Sequence, residues 1–272
     1  MRPEVSIIVL SYNHWNATVA ALNSLAMTQQ VAFETIVVDN GSDSLVRNLL
    51  KKCQRTDLAR GLGLRCIFNE ENRGISRGRN QGANAAHGAY LLFLDNDVEI
   101  VDPAWLAALV APLRARQDSI GVTGSVLLHA TPERDVQFAG GTVSRQGHVR
   151  FKTEFPRENA FSTQWFPTMF CLGASLCTSR AVWEITGGFD PAYHPMDYED
   201  IDFCLTAAQS KRRSVVVRES VLLHHAHTTT YSRTFDRMRV YLRSGRYFLR
   251  KWGGYLSHLE AESPDKEAMH DV

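Results

Sequence analysis

The sequence predicts an α/β protein with a mostly parallel central sheet, helices on both faces of that sheet and a small antiparallel addition. Two observations carry this prediction. Short, β-branched apolar runs alternate with helix-like stretches through the first half of the chain, and polar turn residues follow each apolar run. Repeated strand–helix units of this kind form a Rossmann-like parallel sheet with both faces covered.

Apolar runs predict strands at residues 5–10, 35–38, 64–68 and 90–94. Helices are predicted over about 15–27, from Asp43 to residue 50, over 75–87 and from Pro103 to residue 113. Beyond residue 131, shorter pieces predict strands at 136–139, 148–152, 215–217 and 221–223, and helices near 180–185 and from about residue 200. We expect one domain over residues 1–229, followed by a C-terminal basic amphipathic helix and acidic tail over residues 230–272.

The composition excludes several classes of protein. Of 272 residues, 44% are hydrophobic and 22% are charged, which is typical of a folded chain and not of a disordered one. The 30 Lys and Arg residues nearly balance 29 Asp and Glu residues, for a formal net charge of +1. This balance excludes a protein that binds polyanions through its global charge, but it leaves a local basic patch open.

Cysteine usage and apolar segments predict the compartment. Five cysteines without a Cys-x-x-Cys pair favour buried, reduced thiols over a disulfide framework or a zinc site. The N-terminus leads into the first strand without the apolar core of a signal peptide. The uncharged segment 159–179 contains too many polar residues for a membrane-spanning helix and is expected to be buried interior. We therefore expect a cytoplasmic protein.

Polar residues follow each of the first four predicted strands, at 11–13, 39–42, 69–72 and 95–97. Any one of these groups is explained as well by a turn, because Asn, Asp, Ser and Gly favour turns for local reasons. Ligands of open parallel sheets bind at the carboxyl ends of the strands. The four groups together therefore predict a polar ligand site at this edge.

Two of these groups suggest particular ligands. Asp95 and Asp97, two residues apart after a buried strand, can hold Mg²⁺ or Mn²⁺ together with substrate phosphates; the alternative is a loop in which Asp97 or Asp102 caps the next helix. Segment 72–82 has three arginines and three glycines at a helix start, which suits a pyrophosphate. For Arg73, a solvated basic turn is the alternative. The segment lacks the G-x-G-x-x-G fingerprint, which disfavours a nicotinamide-dependent enzyme.

The ordered set of motifs resembles one enzyme family. The set is Ser-Ile-Ile-Val…Ser-Tyr-Asn at 6–13, Val-Val-Asp-Asn-Gly-Ser at 37–42, Asn-Arg-Gly…Arg-Asn-Gln-Gly at 72–82, Phe-Leu-Asp-Asn-Asp at 93–97 and Gly-Gly-Phe-Asp…Tyr-Glu-Asp-Ile-Asp-Phe at 187–203. It resembles the inverting family 2 glycosyltransferases of the GT-A fold, in particular bacterial rhamnosyltransferase-like members. The resemblance covers residues 5 to 229.

The resemblance implies a nucleoside-diphosphate sugar donor and a glycan or lipid-linked acceptor. It implies that Ser11, Tyr12 and Asn13 hold the nucleotide base through backbone contacts. It further implies that Asp39 binds the base or the ribose, and that Arg79 lies near the diphosphate. The reaction implied is a hexosyl or deoxyhexosyl transfer, as in the synthesis of cell-surface polysaccharide or lipopolysaccharide.

The resemblance also implies a metal site for Mn²⁺ or Mg²⁺. Asp95 and Asp97 match the Asp-x-Asp motif, in which the first aspartate also touches the ribose. A histidine after a late strand completes such sites. His224, His225 and His227 are the candidates, and we favour His224. The cluster departs from the usual single histidine before a glycine run, because Ala226 and Thr228 replace the glycines. For the other two histidines, a buried, hydrogen-bonded role is the alternative.

The catalytic residues are implied in the same way. Asp200, in the Glu199-Asp200 pair, matches the general base of a single inverting displacement. Segments similar to Gly173-Ala174 line the donor-sugar and acceptor side. Trp165, or the phenylalanine after it, could stack on a sugar ring, and a core aromatic is the alternative.

The region from residue 211 to 251 contains eleven Lys and Arg residues and two acidic residues. A helical pattern there gathers apolar residues on one face and arginines on another. The apolar face comprises Phe235, Met238, Leu242, Leu249 and Trp252, and the basic face comprises Arg239, Arg243, Arg246 and Arg250. Such a helix can lie on an anionic membrane at the inner face of the cell envelope. Alternatively, its apolar face docks on the catalytic domain and the arginines are solvated.

Two other functions fit parts of the sequence. A non-catalytic protein that binds nucleotide sugars or carbohydrates on the same fold is disfavoured, because Asp95, Asp97, Glu199 and Asp200 are all present. A metal-dependent nucleotidyltransferase does not account for the Glu199-Asp200 pair. Nucleic-acid binding is not expected, because the basic helix lacks interleaved stacking aromatics.

Overall fold

A computed structural model describes residues 2–155, 164–225 and 234–262. The strands are β1 (Val5–Ser11), β2 (Phe33–Asp39), β3 (Leu64–Phe68), β4 (Tyr90–Asp95), β5 (Val98–Ile100), β6 (Ile120–His129), β7 (Val136–Phe138), β8 (Gly141–Val143), β9 (Val149–Phe151), β10 (Trp165–Thr168), β11 (Ser175–Ser179) and β12 (Arg213–His224). The helices are α1 (Trp15–Leu25), α2 (Ser44–Cys53), α3 (Asp57–Gly61), α4 (Ile75–Ala85), α5 (Trp105–Ala115), α6 (Arg180–Thr186), α7 (Glu199–Gln209) and α8 (Thr234–Glu262), with a 3₁₀ turn at Pro191–Tyr193.

The central sheet confirms the predicted α/β architecture. In the described part of the chain its main strand order is β10-β12-β6-β11-β4-β1-β2-β3. In addition, β5 pairs with β12, and β7 pairs with β6. Strands β4, β1, β2 and β3 are parallel, as predicted for the first half of the chain. Strand β11 runs antiparallel between β4 and β6. Strands β8 and β9 form the small antiparallel addition.

The second half of the sheet is where the sequence prediction was incomplete. Strands β6 and β11 were not predicted, because small and polar residues interrupt their apolar positions; β6 carries Gly124 where a Cβ atom would lie 2.7 Å from the Cβ of Cys171. The two short strands predicted at 215–217 and 221–223 are one strand, β12, with a register shift between Val217 and Val221. The described part of the uncharged segment contains β10 and β11 and is largely buried, as expected.

Close packing of α4 on β1 fixes the position of the ligand-binding edge. Gly78 and Gly82 face the sheet, where an added Cβ would approach Leu10 Cδ1 or Ile8 Cγ2 at 2.4 Å. Without these side chains the helix lies directly against the strand, since interiors leave no room for extra methyl groups. Arg79, next to Gly78, is thereby carried into the interior at the carboxyl end of the sheet.

The C-terminal helix docks on the α/β domain. Its docked face consists of Ser244, Phe248, Trp252 and Leu256, all buried. Trp252 Nε1 donates a 2.7 Å hydrogen bond to the buried Asp202 of α7, and Lys251 Nζ lies 3.0 Å from both Asp202 Oδ2 and Asp190 Oδ2. The helix therefore belongs to the folded unit that contains α7.

The predicted apolar face of this helix docks only in part. Of its members, Trp252 is docked, whereas Met238, Leu242 and Leu249 are exposed. The side chain of Phe235 lies outside the described residues. Ser244, Phe248 and Trp252 contact Met196, Tyr198 and Asp202, and of these three α8 residues only Trp252 belongs to the predicted apolar face. No helix in the described ranges is long and apolar enough to cross a membrane.

Truncating Trp252 tests the docking of α8. Trp252→Ala removes a buried ring and the donor to Asp202, and we expect the free energy of unfolding to fall by about 3–5 kcal/mol. Urea unfolding followed by circular dichroism measures it. Leu242→Ala, at an exposed position on the same helix, is the control and should change stability by less than about 0.5 kcal/mol. Equal effects of the two substitutions would contradict a docked helix.

Candidate active site

The register of the parallel strands brings the predicted polar groups together. Ser11 lies opposite Asp39 on the neighbouring strand, and Leu10 lies opposite Asp95. The ends of β1, β2 and β4 therefore meet at one edge of the sheet, as the sequence predicted. The loops that follow these strands form the floor of the candidate site.

Two of the residues expected to hold the base tie these loops together. Asn13 adopts a positive φ of 58°. Its backbone N–H donates to Ser42 Oγ at 2.9 Å, and its side-chain oxygen accepts from the Asp43 N–H at 2.7 Å. The Ser11 hydroxyl is buried and lies 2.9 Å from the Thr18 hydroxyl. Ser11 and Asn13 thus fix the shape of the loops.

A carboxylate oxygen of Asp39 and the exposed ring of Tyr12 are available for a ligand at this edge. Asp39 is fully buried, and its Oδ1 accepts from the Ser42 N–H at 3.2 Å. Its Oδ2 has no hydrogen-bond partner among the described residues. A buried carboxylate oxygen without a donor is costly unless a ligand supplies one. Tyr12 is 37% exposed at the same edge, where its ring can cover a flat ligand.

The glycine- and arginine-rich segment differs from the sequence prediction. The first N–H of α4, from Ile75, donates to Pro195 O at 2.8 Å, and the Gly74 N–H donates to Asn72 Oδ1 at 2.9 Å. A Cβ at Gly74 would approach His194 Nδ1 at 2.6 Å. The helix end is therefore covered by the 194–195 loop and does not offer these N–H groups to a pyrophosphate.

Arg79 is buried within a set of carboxylates. The residue is 2% exposed. Its Nη2 donates to Asp95 Oδ1 at 2.7 Å and to Gly173 O at 2.9 Å, and its Nη1 donates to Glu199 Oε1 at 3.3 Å. The ring of Phe189 lies under the guanidinium at 5.6 Å. The resemblance put Arg79 near the diphosphate; the structure puts its guanidinium beneath Asp95, where its charge offsets buried acidic groups.

The Gly173-Ala174 segment connects β4 to α7. The Gly173 N–H donates to Asp200 Oδ2 at 2.9 Å, and the Asp95 N–H donates to Ala174 O at 3.1 Å. A Cβ at Gly173 would lie 2.2 Å from Arg79 Nη1, so only glycine permits this approach. The backbone here holds the Asp-x-Asp motif and the Glu-Asp pair in a fixed relation.

Burial and mutual repulsion perturb the Glu199-Asp200 pair. Burial, followed by the charge of Asp200, raises the pKa of Glu199 to about 8, although Arg79 opposes this. Burial also raises the pKa of Asp200, against the lowering effect of the Gly173 N–H. Glu199 Oε2 is buried and has no hydrogen-bond partner within the described ranges. Perturbed acids facing a cavity are typical of catalytic sites.

A strained turn places this pair. Asp197 and Tyr198 have φ values of 77° and 71°, a conformation that costs non-glycine residues about 1–3 kcal/mol each. The Arg237 guanidinium of α8 donates hydrogen bonds to both carboxylate oxygens of Asp197, with Nη2 2.7 Å from Oδ1. The Tyr198 hydroxyl lies 3.0 Å from that of Tyr241, and its ring packs 4.9 Å from Phe248. Sequence reasoning missed these supports.

The candidate metal ligands lie together. Asp95, Asp97 and His224 each present one ligand atom, and these atoms lie within 4.8 Å of one another. Two carboxylates and an imidazole suit a divalent cation such as Mn²⁺. Burial lowers the pKa of His224, but Asp97 and Asp95 outweigh it and raise the pKa above its usual value.

Gln137, which the sequence did not single out, orients His224. Its Oε1 lies 2.6 Å from His224 Nδ1, and its Nε2 faces His129 Nδ1 at 3.4 Å. An acceptor at Nδ1 holds the proton on that nitrogen, which leaves Nε2, 3.3 Å from Asp97 Oδ1, as the ligand atom. Gln137 lies on β7, a strand of three residues whose contact with β12 no sequence pattern predicts.

Other predicted site residues lie elsewhere. His225 is half exposed and lies 3.0 Å from Glu99, apart from the metal cluster, and His227 lies outside the described residues. Trp165 does not join the cavity: it pairs with Val217 at the sheet edge and packs against the core. Its partner on β12 precedes His224 by seven residues, a separation of about 20 Å. This packing agrees with the alternative of a core aromatic for Trp165.

A cavity of about 500 Å³ lies beside the Glu-Asp pair. One wall consists of Glu199, Asp200 and the strained turn before them. The other walls are mostly apolar and come from separate elements: Ile75, Val149, Phe151, Leu172, Met196, Ile201, Arg237 and Tyr241. An acidic group at the wall of an apolar cavity can accept a proton from a bound molecule.

Comparison with known proteins identifies the family. The model described as "Glycosyl transferase family 2" matches residues 6–175. The chain belongs to glycosyl transferase family 2. The O-antigen biosynthesis protein RfbC of Myxococcus xanthus is 34% identical over 152 residues, covering 54% of this chain and 12% of that protein. The uncharacterized protein y4gI of Sinorhizobium fredii is 26% identical over 262 residues, which cover 92% of this chain and 28% of that protein. The chain thus spans less than a third of either relative.

Solved structures show the GT-A fold. GalNAc-T7, in a structure with UDP, GalNAc and Mn²⁺, superposes with a TM-score of 0.68 at 19% identity, covering 82% of this chain and 44% of that one. The mannosyltransferase PcManGT of Pyrobaculum calidifontis, in a complex with GDP-Man and Mn²⁺, superposes with a TM-score of 0.63 at 19% identity. The superposition covers 85% of this chain and 59% of that one. At such identities the likeness concerns the fold.

Replacing Gln137 tests the metal site without any turnover. Gln137→Leu removes the acceptor at His224 Nδ1, and we expect the affinity for Mn²⁺ to fall about 10–100-fold. Titration calorimetry or Mn²⁺ electron paramagnetic resonance measures it. Gln137→Glu retains an acceptor and should bind Mn²⁺ within about threefold of the unmodified protein. Equal affinities for all three proteins would contradict this role of Gln137.

Proposed function

We propose that this family 2 glycosyltransferase moves a hexosyl or deoxyhexosyl group from a nucleoside-diphosphate sugar to a hydroxyl of a glycan or lipid-linked acceptor. The proposed reaction depends on Mn²⁺ or Mg²⁺ and inverts the anomeric centre. One observation carries the proposal: Asp200 faces an apolar cavity while Gly173 and Arg79 connect it to Asp95 of the Asp-x-Asp motif. A base and a metal site are thus held in one rigid arrangement.

The nucleotide part of the donor is assigned to the edge of β1 and β2. Asp39 Oδ2, buried without a partner in the described part of the chain, is suited to accept a hydrogen bond from the base or the ribose. Tyr12 is exposed beside it and can cover the base. The solved structures with UDP and with GDP-Man support a nucleotide ligand for this fold.

Asp95, Asp97 and His224 would hold the cation. When bound, a divalent cation stabilises the negative charge on the departing diphosphate as a Lewis acid. Arg79 neutralises part of the charge of Asp95 and keeps its Oδ1 occupied, which directs the other carboxylate oxygen to the cation. Gln137 holds the required tautomer of His224.

Asp200 is the proposed general base. Its carboxylate removes the proton of the acceptor hydroxyl while the oxygen bonds to the anomeric carbon and the bond to the diphosphate breaks. Attack from the side opposite the diphosphate inverts the configuration and needs no covalent intermediate. Burial and the charge of Asp200 raise the pKa of Glu199, whereas the Gly173 N–H opposes the effect of burial on the pKa of Asp200. We therefore assign the negative charge of the pair to Asp200. The unpartnered Oε2 of Glu199 can then bind a sugar hydroxyl.

The biological setting is proposed from the relatives. RfbC of Myxococcus xanthus is named as an O-antigen biosynthesis protein, which supports a role in cell-surface polysaccharide or lipopolysaccharide synthesis. A deoxyhexosyl donor, as in rhamnosyl transfer, fits the family resemblance. We propose that the protein works in the cytoplasm, at or near the inner face of the membrane.

Removing the proposed base tests this function. Asp200→Asn keeps the side-chain shape but cannot take a proton, so we expect kcat to fall about 10²–10⁴-fold. Mn²⁺-dependent nucleotide binding, measured by calorimetry, should stay unchanged. Asp118→Asn, on the distant turn after α5, is the matched control and should retain full activity. Near-normal turnover by Asp200→Asn would show that the base is a different group.

A further inference from the structure

Helix α8 has a second apolar surface that does not dock. Met238, Leu242 and Leu249 are 54%, 50% and 36% exposed. At 100° per residue, these three side chains lie within about 40° of one another around the helix. We call them the exposed stripe. Contiguous exposed apolar side chains on a folded domain mark a contact surface.

Arginines flank the exposed stripe on one side. Arg243, Arg246 and Arg250 are all exposed, and with Arg239 they lie about 80–140° around the helix from Met238. No acidic residue stands between positions 237 and 259 of the helix. Asp236 lies one turn before Arg239 at the start of α8, and beyond it Arg243, Arg246 and Arg250 give this stretch of the helix an excess of positive charge.

The cavity flanks the exposed stripe on its other side. Arg237 and Tyr241 line the cavity and lie about 60–100° from Met238 in the opposite direction from the arginines. In the first half of α8, the exposed stripe therefore lies between the residues that line the cavity and the row of arginines. A surface that contacts the exposed stripe would lie next to the cavity.

The β8–β9 hairpin extends this surface. An added Cβ at Gly147, in its turn, would lie 3.0 Å from Leu249, so the hairpin contacts α8 at the exposed stripe. Phe151, which lines the cavity, is 46% exposed. Arg150 and Lys152 are exposed on either side of Phe151. Apolar and basic side chains from two separate elements therefore surround one rim of the cavity.

We propose that the exposed stripe, the α8 arginines and the exposed hairpin residues form a docking surface for an anionic lipid bilayer. The apolar side chains enter the headgroup–acyl boundary, and the arginines pair with lipid phosphates. This inference rests on the proposed function and deepens it: the acceptor is a lipid-linked molecule whose head enters the cavity from the membrane side.

The observations favour a bilayer over a protein partner. The apolar side chains project from a helix and a hairpin at the rim of the cavity, whereas a protein interface is anchored by side chains that fill a fully desolvated pocket. The arginines lie beside the apolar stripe, which matches a bilayer with its phosphates above its acyl chains. Docking on the domain and contact with a membrane therefore do not exclude each other. Phe248, Trp252 and Leu256 dock, whereas the exposed stripe contacts the membrane in our proposal.

Vesicle co-sedimentation of the full chain tests the proposal. The protein should pellet with vesicles of phosphatidylcholine containing phosphatidylglycerol, and much less with phosphatidylcholine alone. Arg243→Glu/Arg246→Glu should lower the partition coefficient at least about tenfold. Met238→Ser/Leu242→Ser should lower it as well. Lys52→Glu/Arg55→Glu reverses two exposed charges at the end of α2 and should bind like the unmodified protein.

Mn²⁺-dependent release of nucleotide from the donor, without lipid, is measured on every variant and should stay unchanged. An unmodified protein that stays in the supernatant, or equal loss of binding in both charge-reversed variants, would overturn the docking surface. Undiminished binding of Arg243→Glu/Arg246→Glu would overturn it too. Absence of nucleotide release together with charge-dependent vesicle binding would overturn the proposed function and leave the docking surface standing.

Discussion

The arrangement of the site depends on one buried cation. Arg79 contacts the end of β4 through Asp95, the backbone of Gly173 and the start of α7 through Glu199. A buried carboxyl group without a hydrogen-bond donor is costly. The guanidinium between Glu199 and the half-exposed Asp95 donates to both and so stabilises their approach. Arg79 reaches this place because the glycines of α4 let the helix lie against β1, and because Gly173 has no side chain.

A second constraint acts from outside the catalytic core. The turn before Glu199 holds two residues in a left-handed conformation, and this strain is offset by contacts from α8. Arg237 donates hydrogen bonds to the carboxylate of Asp197, and Tyr198 is packed between Tyr241 and Phe248. The same helix is anchored on α7 through Trp252. The C-terminal helix therefore shapes the cavity wall that carries the proposed base.

Much of this arrangement was predictable from local patterns. The four parallel strands of the first half are near-continuous apolar runs, and the polar groups at their ends must meet at one edge because parallel strands share a direction. The Asp-x-Asp motif was found for the same reason, since Asp95 directly follows a buried strand. The resemblance to family 2 glycosyltransferases added the Glu199-Asp200 pair, which no periodicity indicates.

The remainder depends on contacts between distant segments. Gln137 meets His224 only through the pairing of β6 with both β7 and β12. The helix end at Ile75 was expected to face a pyrophosphate, but a loop 120 residues later in the chain covers it at Pro195. The docked residues of α8 depend on contacts with the distant segment 190–202, such as those of Ser244 with Met196 and of Trp252 with Asp202. Local sequence carries no signal for such long-range fits.

The most direct test of the account is the anomeric configuration of the product. The donor is the nucleotide sugar that gives the largest Mn²⁺-dependent thermal stabilisation, and the acceptor is a soluble analogue of the lipid-linked substrate. NMR during the first turnovers reads the one-bond carbon–proton coupling at the new anomeric centre, which distinguishes the anomers of rhamnosyl and mannosyl products as well. Single displacement assisted by Asp200 predicts a product of inverted configuration. A product with the donor's own configuration would contradict the proposed mechanism.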